Sequence, residues 1–378
     1  MNNMKKPLSI YVHIPFCVRK CAYCDFLSAP ATKEVQEQYL HKLIEEIRVK
    51  SPEFHAYEVK TIFFGGGTPT AVDAQSLCEV LRAIKVCFEV NTNAEISLEC
   101  NPGTASKEAL LLYKEAGFNR LSIGLQSTED HLLRKLGRIH NYAQFVETFE
   151  AAREVGFANI NVDLMSALPD QTLENYVETL RKVLAMKPEH ISAYSLIIEE
   201  GTPFYEMDLN LPTEDVEREM YEMTEQVLRE EGYARYEISN YALPGFASKH
   251  NVVYWKRGAY LGLGLGAASL ICKDGQEFRL KNNSDLSSYI EGMHHYEETL
   301  SLSKREAMEE FFFLGLRMME GVDIAYFQEV YGNDAYKKFE AAINESIDEG
   351  LLCLEGTRLF LTPRGIDVSN YVFQKFLE

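Results

Sequence analysis

The 378-residue chain is poor in several things, and each shortage excludes a class of protein. It has one tryptophan, Trp255, and no apolar run near the ~20 residues that cross a bilayer as a helix, so an integral membrane protein is not expected. The start, Met1-Asn2-Asn3-Met4-Lys5-Lys6-Pro7, leads into a strand broken at Pro15, far short of a secretory signal core. Basic residues are scarce: 38 Lys and Arg face 57 Asp and Glu, for a formal net charge of −19. A polyanion is a poor general binder of nucleic acid or anionic lipid, because neutralising phosphates takes clustered Lys and Arg. Of the 8 cysteines only Cys17, Cys21 and Cys24 are grouped, which is no disulfide framework. Cys78, Cys87, Cys100, Cys272 and Cys353 read as small buried hydrophobes. Three exposed thiols at close spacing need reducing surroundings, so the expected location is cytoplasmic.

What the chain does have is rhythm. Apolar, β-branched runs at 8–14, 60–64, 95–99, 120–125, 159–165 and 190–197 recur at the length of a βαβ unit. Helical patterns at 34–50, 74–88, 106–115, 142–155 and 173–186 fall between them. The strands lack clean alternation, as expected when both faces are covered. Six βα units in a row predict an α/β fold with a parallel sheet, open and doubly wound or curved into a partial barrel. After residue 200 the rhythm changes. A long amphipathic helix is predicted over 212–232, an edge strand over 233–241, and a glycine-rich apolar stretch over 258–266. From about 303 the chain turns helical and ends in a hairpin, which predicts a small winged-helix-like module. The expected division is a core over 1–240, a connecting segment over 241–300 and a C-terminal module over 301–378. That module carries 8 Lys and Arg against 14 Asp and Glu, so a DNA-binding role lacks its basic stripe.

In either version of the sheet the functional edge is the C-terminal one. Polar and glycine-rich residues gather there: the cysteine loop after the first strand, Gly65-Gly66-Gly67-Thr68-Pro69-Thr70 after the second, Glu99-Cys100-Asn101-Pro102-Gly103 after the third, Gln126 after the fourth, and Asp163 near the end of the fifth. Three thiolates spaced C-x3-C-x2-C can hold a [4Fe–4S] cluster and leave one iron open. Zinc is the competing reading, but it ordinarily takes a fourth protein ligand, and His13 is poorly placed to supply it. The glycine run lacks the lysine of a P-loop; with no Cβ in the way, it lets a ligand touch backbone. Glu99 and Asp163 end strands that read as buried, where a carboxylate is costly unless paired. Arg138 offers a bidentate grip for a carboxylate. Tyr23, inside the cysteine loop, packs the loop or shelters an adenine.

Taken together these segments resemble the radical S-adenosylmethionine (SAM) superfamily over roughly residues 8–200. The resemblance implies a partial (β/α)6 barrel with a smaller, mainly helical C-terminal module. It also implies a [4Fe–4S] cluster on Cys17, Cys21 and Cys24, with SAM on the open iron. By the same resemblance Tyr11, Gly66, Glu99 and the Gly67-Thr68 pair would contact SAM. Tyr23, Gln126, Arg138 and Asp163 would line the same cavity, where a second SAM is one expectation.

Tyr11-Val12-His13-Ile14-Pro15-Phe16-Cys17 and Ser122-Ile123-Gly124-Leu125-Gln126-Ser127 look like the branch related to coproporphyrinogen dehydrogenase. Within that branch the dehydrogenases carry a further cysteine where this chain has Phe26, and an N-terminal extension where ten residues precede Tyr11. The heme chaperones carry an H-N-x-x-Y-W motif, matched by His250-Asn251-Val252-Val253-Tyr254-Trp255. The resemblance thus implies heme as a third cofactor, with His250 as a heme contact and Tyr254 and Trp255 stacking beside a porphyrin. A heme-acceptor protein would be the partner, and the chain a monomer or homodimer. The alternative is oxidative decarboxylation of coproporphyrinogen III.

Overall fold

Each apolar run becomes a parallel strand in the structure, a computed structural model that describes residues 5–292 and 295–377. The strands β1 (Lys6–Ile14), β2 (Tyr57–Gly66), β3 (Val90–Cys100), β4 (Arg120–Gln126), β5 (Ile160–Ser166) and β6 (His190–Ser195) pair in chain order. Helices Lys33–Lys50, Ala74–Cys87, Lys107–Ala116, Tyr142–Glu154 and Leu173–Ala185 fill the crossovers. Each starts where a short polar side chain (Thr32, Asp73, Ser106, Asn141 and Thr172 in turn) accepts a hydrogen bond from a first-turn N–H. Gly117, at φ +106°, ends the third of them in the left-handed conformation that favours glycine. Tyr39, Leu43, Ile47, Leu77, Leu81 and Ile84 carry the helices onto the strands in one continuous core.

The sheet is curved. In a flat one, five spacings of about 4.8 Å would hold β1 and β6 about 24 Å apart. Here Tyr11 of β1 and Tyr194 of β6 line a single cavity. The six βα units therefore form a partial barrel with helices outside and a polar interior, rather than a flat doubly wound sheet.

Two expectations change. The single strand expected over 233–241 is a hairpin, β7 (Ala234–Glu237) and β8 (Asn240–Ala242), with β8 antiparallel to β6. The 241–300 stretch, expected to connect, instead builds sheet: β9 (Tyr260–Leu263) runs parallel beside β1, and β10 (Ala268–Lys273), β11 (Gln276–Asn282) and β12 (Tyr296–Ser301) continue antiparallel. Twelve strands result, and the outer edge of β1 is paired rather than left open.

A buried polar knot fixes this extension. Glu46, on the first helix, meets Lys50 Nζ at 2.7 Å, Tyr289 OH at 2.6 Å, Asn282 Nδ2 at 2.8 Å and the Gly264 N–H at 2.8 Å. The C-terminal module has its own core around Phe312, Phe327, Phe339 and Phe376. Its small sheet is β13 (Val322–Asp323) with the hairpin β14 (Leu352–Glu355) and β15 (Arg358–Leu361). Among the lone cysteines Cys78 and Cys100 are buried, Cys87 and Cys353 are partly so, and Cys272 is exposed, against expectation, on an outer strand. Among the described residues no helix is long and apolar enough to cross a membrane.

Candidate functional site

The loop that carries the three cysteines leaves β1 and is closed where Phe16 bridges Ala29: Cys17 N–H donates to Ala29 O at 3.2 Å, and Ala29 N–H to Pro15 O at 2.9 Å. Ala22 N–H donates to Leu136 O at 3.0 Å, and Arg19 Nε to Gly137 O at 3.1 Å. The glycine run anchors the loop from below, with Gly67 N–H on Ile14 O at 2.8 Å and Thr68 N–H on Phe16 O at 2.7 Å. A Cβ on Gly67 would stand 2.7 Å from Phe16 O, and one on Gly66 (φ +108°) would stand 2.3 Å from the His13 ring. The absence of side chains at Gly66 and Gly67 thus seats the cysteine loop. Gly66 and Gly67 still form chamber wall.

Two adjoining chambers result. The smaller, about 130 Å³, is bounded by Cys17, Cys21, Cys24, Thr68 and Arg138. The larger, about 490 Å³, is walled by Tyr11, Phe63, Tyr194, His250 and Tyr254. Tyr23, Cys24, Phe26, Glu99, Gln126 and Asp163 belong to both. Thus the cysteines, the expected SAM contacts and His250 each line one chamber or the other. Thr68 Oγ1 lies 3.5 Å from Cys17 Sγ, and Arg138 Nη1 lies 3.7 Å from Cys21 Sγ. Burial pushes the Cys24 thiol above its usual range. Cys17, Cys21 and Cys24 line one chamber, and three thiolates that can each take a separate iron of a cubane are a donor set that fits a cluster.

Two carboxylates share this dry space. Burial, with Asp163 nearby, pushes Glu99 up to about 8, although its Oε2 accepts from the Gly66 N–H at 3.0 Å. Asp163 is raised by burial too, eased by Asn161 Nδ2 at 2.7 Å. Such a pair favours a cationic or hydrogen-bond-donating ligand. Gln126 sits at φ +73°, where the β4–β5 register shifts, and strain of this kind costs about 1–3 kcal/mol in a non-glycine residue. Arg138 Nη2 donates to Asn101 Oδ1 at 2.6 Å and to Gly124 O, Nη1 points to Cys21 Sγ, and Nε is enclosed without a partner.

His250 is 1% exposed, with Nδ1 2.8 Å from Thr61 Oγ1 and Nε2 2.8 Å from Tyr254 OH. Thr61 gives its only hydroxyl proton to Ser9, so it accepts from Nδ1–H and Nε2 accepts from Tyr254. The ring is neutral, its pKa lowered to about 3 by burial and by the nearby Arg120 charge. Neither nitrogen is open to an iron as the ring stands. Tyr254 and Trp255 were expected to stack beside one ligand, but the helix Lys249–Trp255 turns them apart. Tyr254 faces the larger chamber, whereas Trp255 faces the C-terminal module with the Arg317 guanidinium 4.4 Å over its ring. Sequence reasoning passed over Arg120, Ser122, Asn161 and Tyr194, all on the larger chamber. Their signal was polar residues at every second position of strands that otherwise read as buried.

Residues 11–183 match the Radical SAM superfamily, and residues 302–368 match the HemN C-terminal domain. The fold and its thiol chamber are thus of the radical SAM class, which implies a [4Fe–4S] cluster and SAM as cofactors. Over nearly its full length the chain is similar to the heme chaperone HemW of Lactococcus lactis, at 37% identity covering 99% of this chain and 98% of that one. It is equally similar to the heme chaperone HemW of Bacillus subtilis, at 37% identity covering 98% and 99%. Among solved structures the Escherichia coli coproporphyrinogen III oxidase HemN shares the fold, with a TM-score of 0.86 and 24% identity over 98% of this chain and 90% of that one. The chain belongs to the HemW family of the radical SAM superfamily.

Proposed function

We propose that this protein binds heme and passes it to an acceptor protein. The observation that carries this reading is the position of the H-N-x-x-Y-W segment. His250, Asn251 and Tyr254 wall a chamber that shares Tyr23, Cys24, Glu99, Gln126 and Asp163 with the cysteine chamber. The chamber's exposed rim carries two apolar groups, Phe26 at 63% and Ile197 at 68% exposure, beside the acidic Asp25 and Glu199. Exposed apolar groups around a cavity suit a large planar ligand that must enter and leave.

In this reading Cys17, Cys21 and Cys24 hold the [4Fe–4S] cluster. The cluster, when bound, supplies an open iron for the amino and carboxylate groups of SAM. Glu99 and Asp163 accept hydrogen bonds from the ligand, Gly66, Gly67 and Thr68 bound it, and Tyr11, Tyr23 and Gln126 pack its flanks. Arg138 braces the loop from behind Cys21. His250 acts by holding Tyr254 and Thr61 in place on the heme side. Residues 1–240 form the site, 241–300 complete it through the motif, and 301–378 serve as a module for interaction. A cytoplasmic location goes with this reading.

The test is an anaerobic titration of the reconstituted protein with heme, followed by a coproporphyrinogen III turnover assay on the same sample. Saturable, near-stoichiometric heme binding without turnover is expected. Turnover with consumption of SAM would make the protein a dehydrogenase. Replacing Cys17, Cys21 and Cys24 by Ala should abolish the broad iron–sulfur absorbance after reconstitution; retained absorbance would refute the ligand assignment.

A further inference from the structure

Arg120 opens β4 on the inside of the barrel and is 2% exposed. It is among the largest fully buried side chains of the molecule. Among the described residues its guanidinium makes no hydrogen bond and no ion pair, and its Nε is fully enclosed without a partner. Its charge is nevertheless felt by Glu99, Asp163, His190 and His250 around it. The carboxylates that feel it make their hydrogen bonds elsewhere: Glu99 Oε2 accepts from the Gly66 N–H at 3.0 Å, and Asp163 Oδ1 from Asn161 Nδ2 at 2.7 Å. Asn161 Oδ1 in turn is occupied by His190 and Ser192. A buried guanidinium with five donors and no acceptor is a costly thing to keep. It does face an opening, since Arg120 lines the larger chamber, whose walls are the rings of Tyr11, Phe63 and Tyr254.

We propose that Arg120 receives a carboxylate of the molecule that fills this chamber, a ligand with an aromatic or macrocyclic body and an acid group. Its planar fork matches a carboxylate bidentately, and the surrounding rings take the body. Arg120 stands at the start of β4, and Gln126, which lines both chambers, at its end. Two sources share this chemistry, a porphyrin propionate and the carboxylate of a second SAM that is not held at the cluster. The porphyrin form rests on the heme-binding reading above.

The experiment compares the reconstituted full-length protein with Arg120→Gln and Arg120→Lys, titrating each with heme, with heme dimethyl ester and with SAM. For a propionate, Arg120→Gln weakens heme binding roughly tenfold to a hundredfold, the span of a lost charge-assisted pair. The wild type's preference for heme over its ester disappears as well. Arg120→Lys, which keeps the charge and loses the fork, falls between. For the carboxylate of the second SAM, SAM affinity drops by the same span while heme binding and the cluster absorbance stay unchanged. In both cases ligand-free Arg120→Gln melts at or above the wild-type temperature, because an unpaired buried charge has been removed. Unchanged affinity for all three ligands, with a lowered melting temperature, would overturn the proposal and make Arg120 structural. Wild-type protein that fails to bind heme, with SAM affinity still lost in Arg120→Gln, sinks the heme reading alone. Failure of both sinks both.

Discussion

Glu99 holds a proton in the folded protein that it would lose in the unfolded chain. Burial beside Asp163 moves it from the ordinary 4.5 to about 8. Between those values the folded state binds more protons than the unfolded one, so stability falls as pH rises from about 4.5 to about 8. In ligand-free Glu99→Gln this part of the decline should be lost, while Asp163, also raised by burial, keeps the same sign and the buried His13, His140, His190 and His250, held below their ordinary range, act in the opposite one. Unfolding midpoints measured across that range check it, and a decline of undiminished steepness would count against the assignment. At Gly67 the constraint is space rather than charge. Gly67→Ala drives a methyl into Phe16 O and Ile14 O, so overpacking should cost about 1–3 kcal/mol. Because those carbonyls seat the cysteine loop, iron retained after reconstitution should fall as well; full iron loading would show that the loop adjusts freely. Both residues could be picked out in the sequence as a strand-end carboxylate and a glycine run. Their reasons could not, since each depends on an atom dozens of residues away or across a strand pair.

At the scale of elements, the helix Lys249–Trp255 is the instructive case. Seven residues are too short to show a helical period, and its motif was recognised as residues rather than as a shape. Glu95, on β3, caps it by accepting the N–H groups of Lys249 and His250, adding to the Ser248 side-chain cap. Glu95→Ala should cost about 1–2 kcal/mol and speed amide exchange over 249–255. Urea unfolding and hydrogen exchange would measure the two effects; unchanged exchange across the helix would show that the cap is redundant. The six βα crossovers were the opposite case. Long apolar periods repeat locally, so strands and helices were legible to within a few residues at most ends. The hairpin β7–β8 and the strands β9 to β12 were not, because short antiparallel strands take their pairing from distant neighbours rather than from their own pattern.

Across the whole molecule, Glu46 ties the first helix to the sheet extension that contains the motif. It is 1% exposed and satisfied by a cation, a phenol, an amide and a backbone N–H. Glu46→Ala takes the counter-ion from the buried Lys50, leaving it Asn282 Oδ1 at 2.8 Å and the Tyr296 ring, and should destabilise the fold by about 3–5 kcal/mol. Equilibrium unfolding tests this, and a loss below about 1 kcal/mol would mean that Lys50 finds other partners without cost. What the sequence determined by itself was everything that repeats or clusters along the chain: the βα period, the C-x3-C-x2-C loop and the glycine run. What the tertiary structure alone decided was which side chains meet. Curvature of the sheet brings β1 and β6 to one chamber, turns Tyr254 inward and Trp255 outward, occupies Arg138 and leaves Arg120 without a partner. The reason is physical. Local conformation follows from neighbours in sequence, whereas a buried charge is decided by whichever groups the closed barrel places beside it.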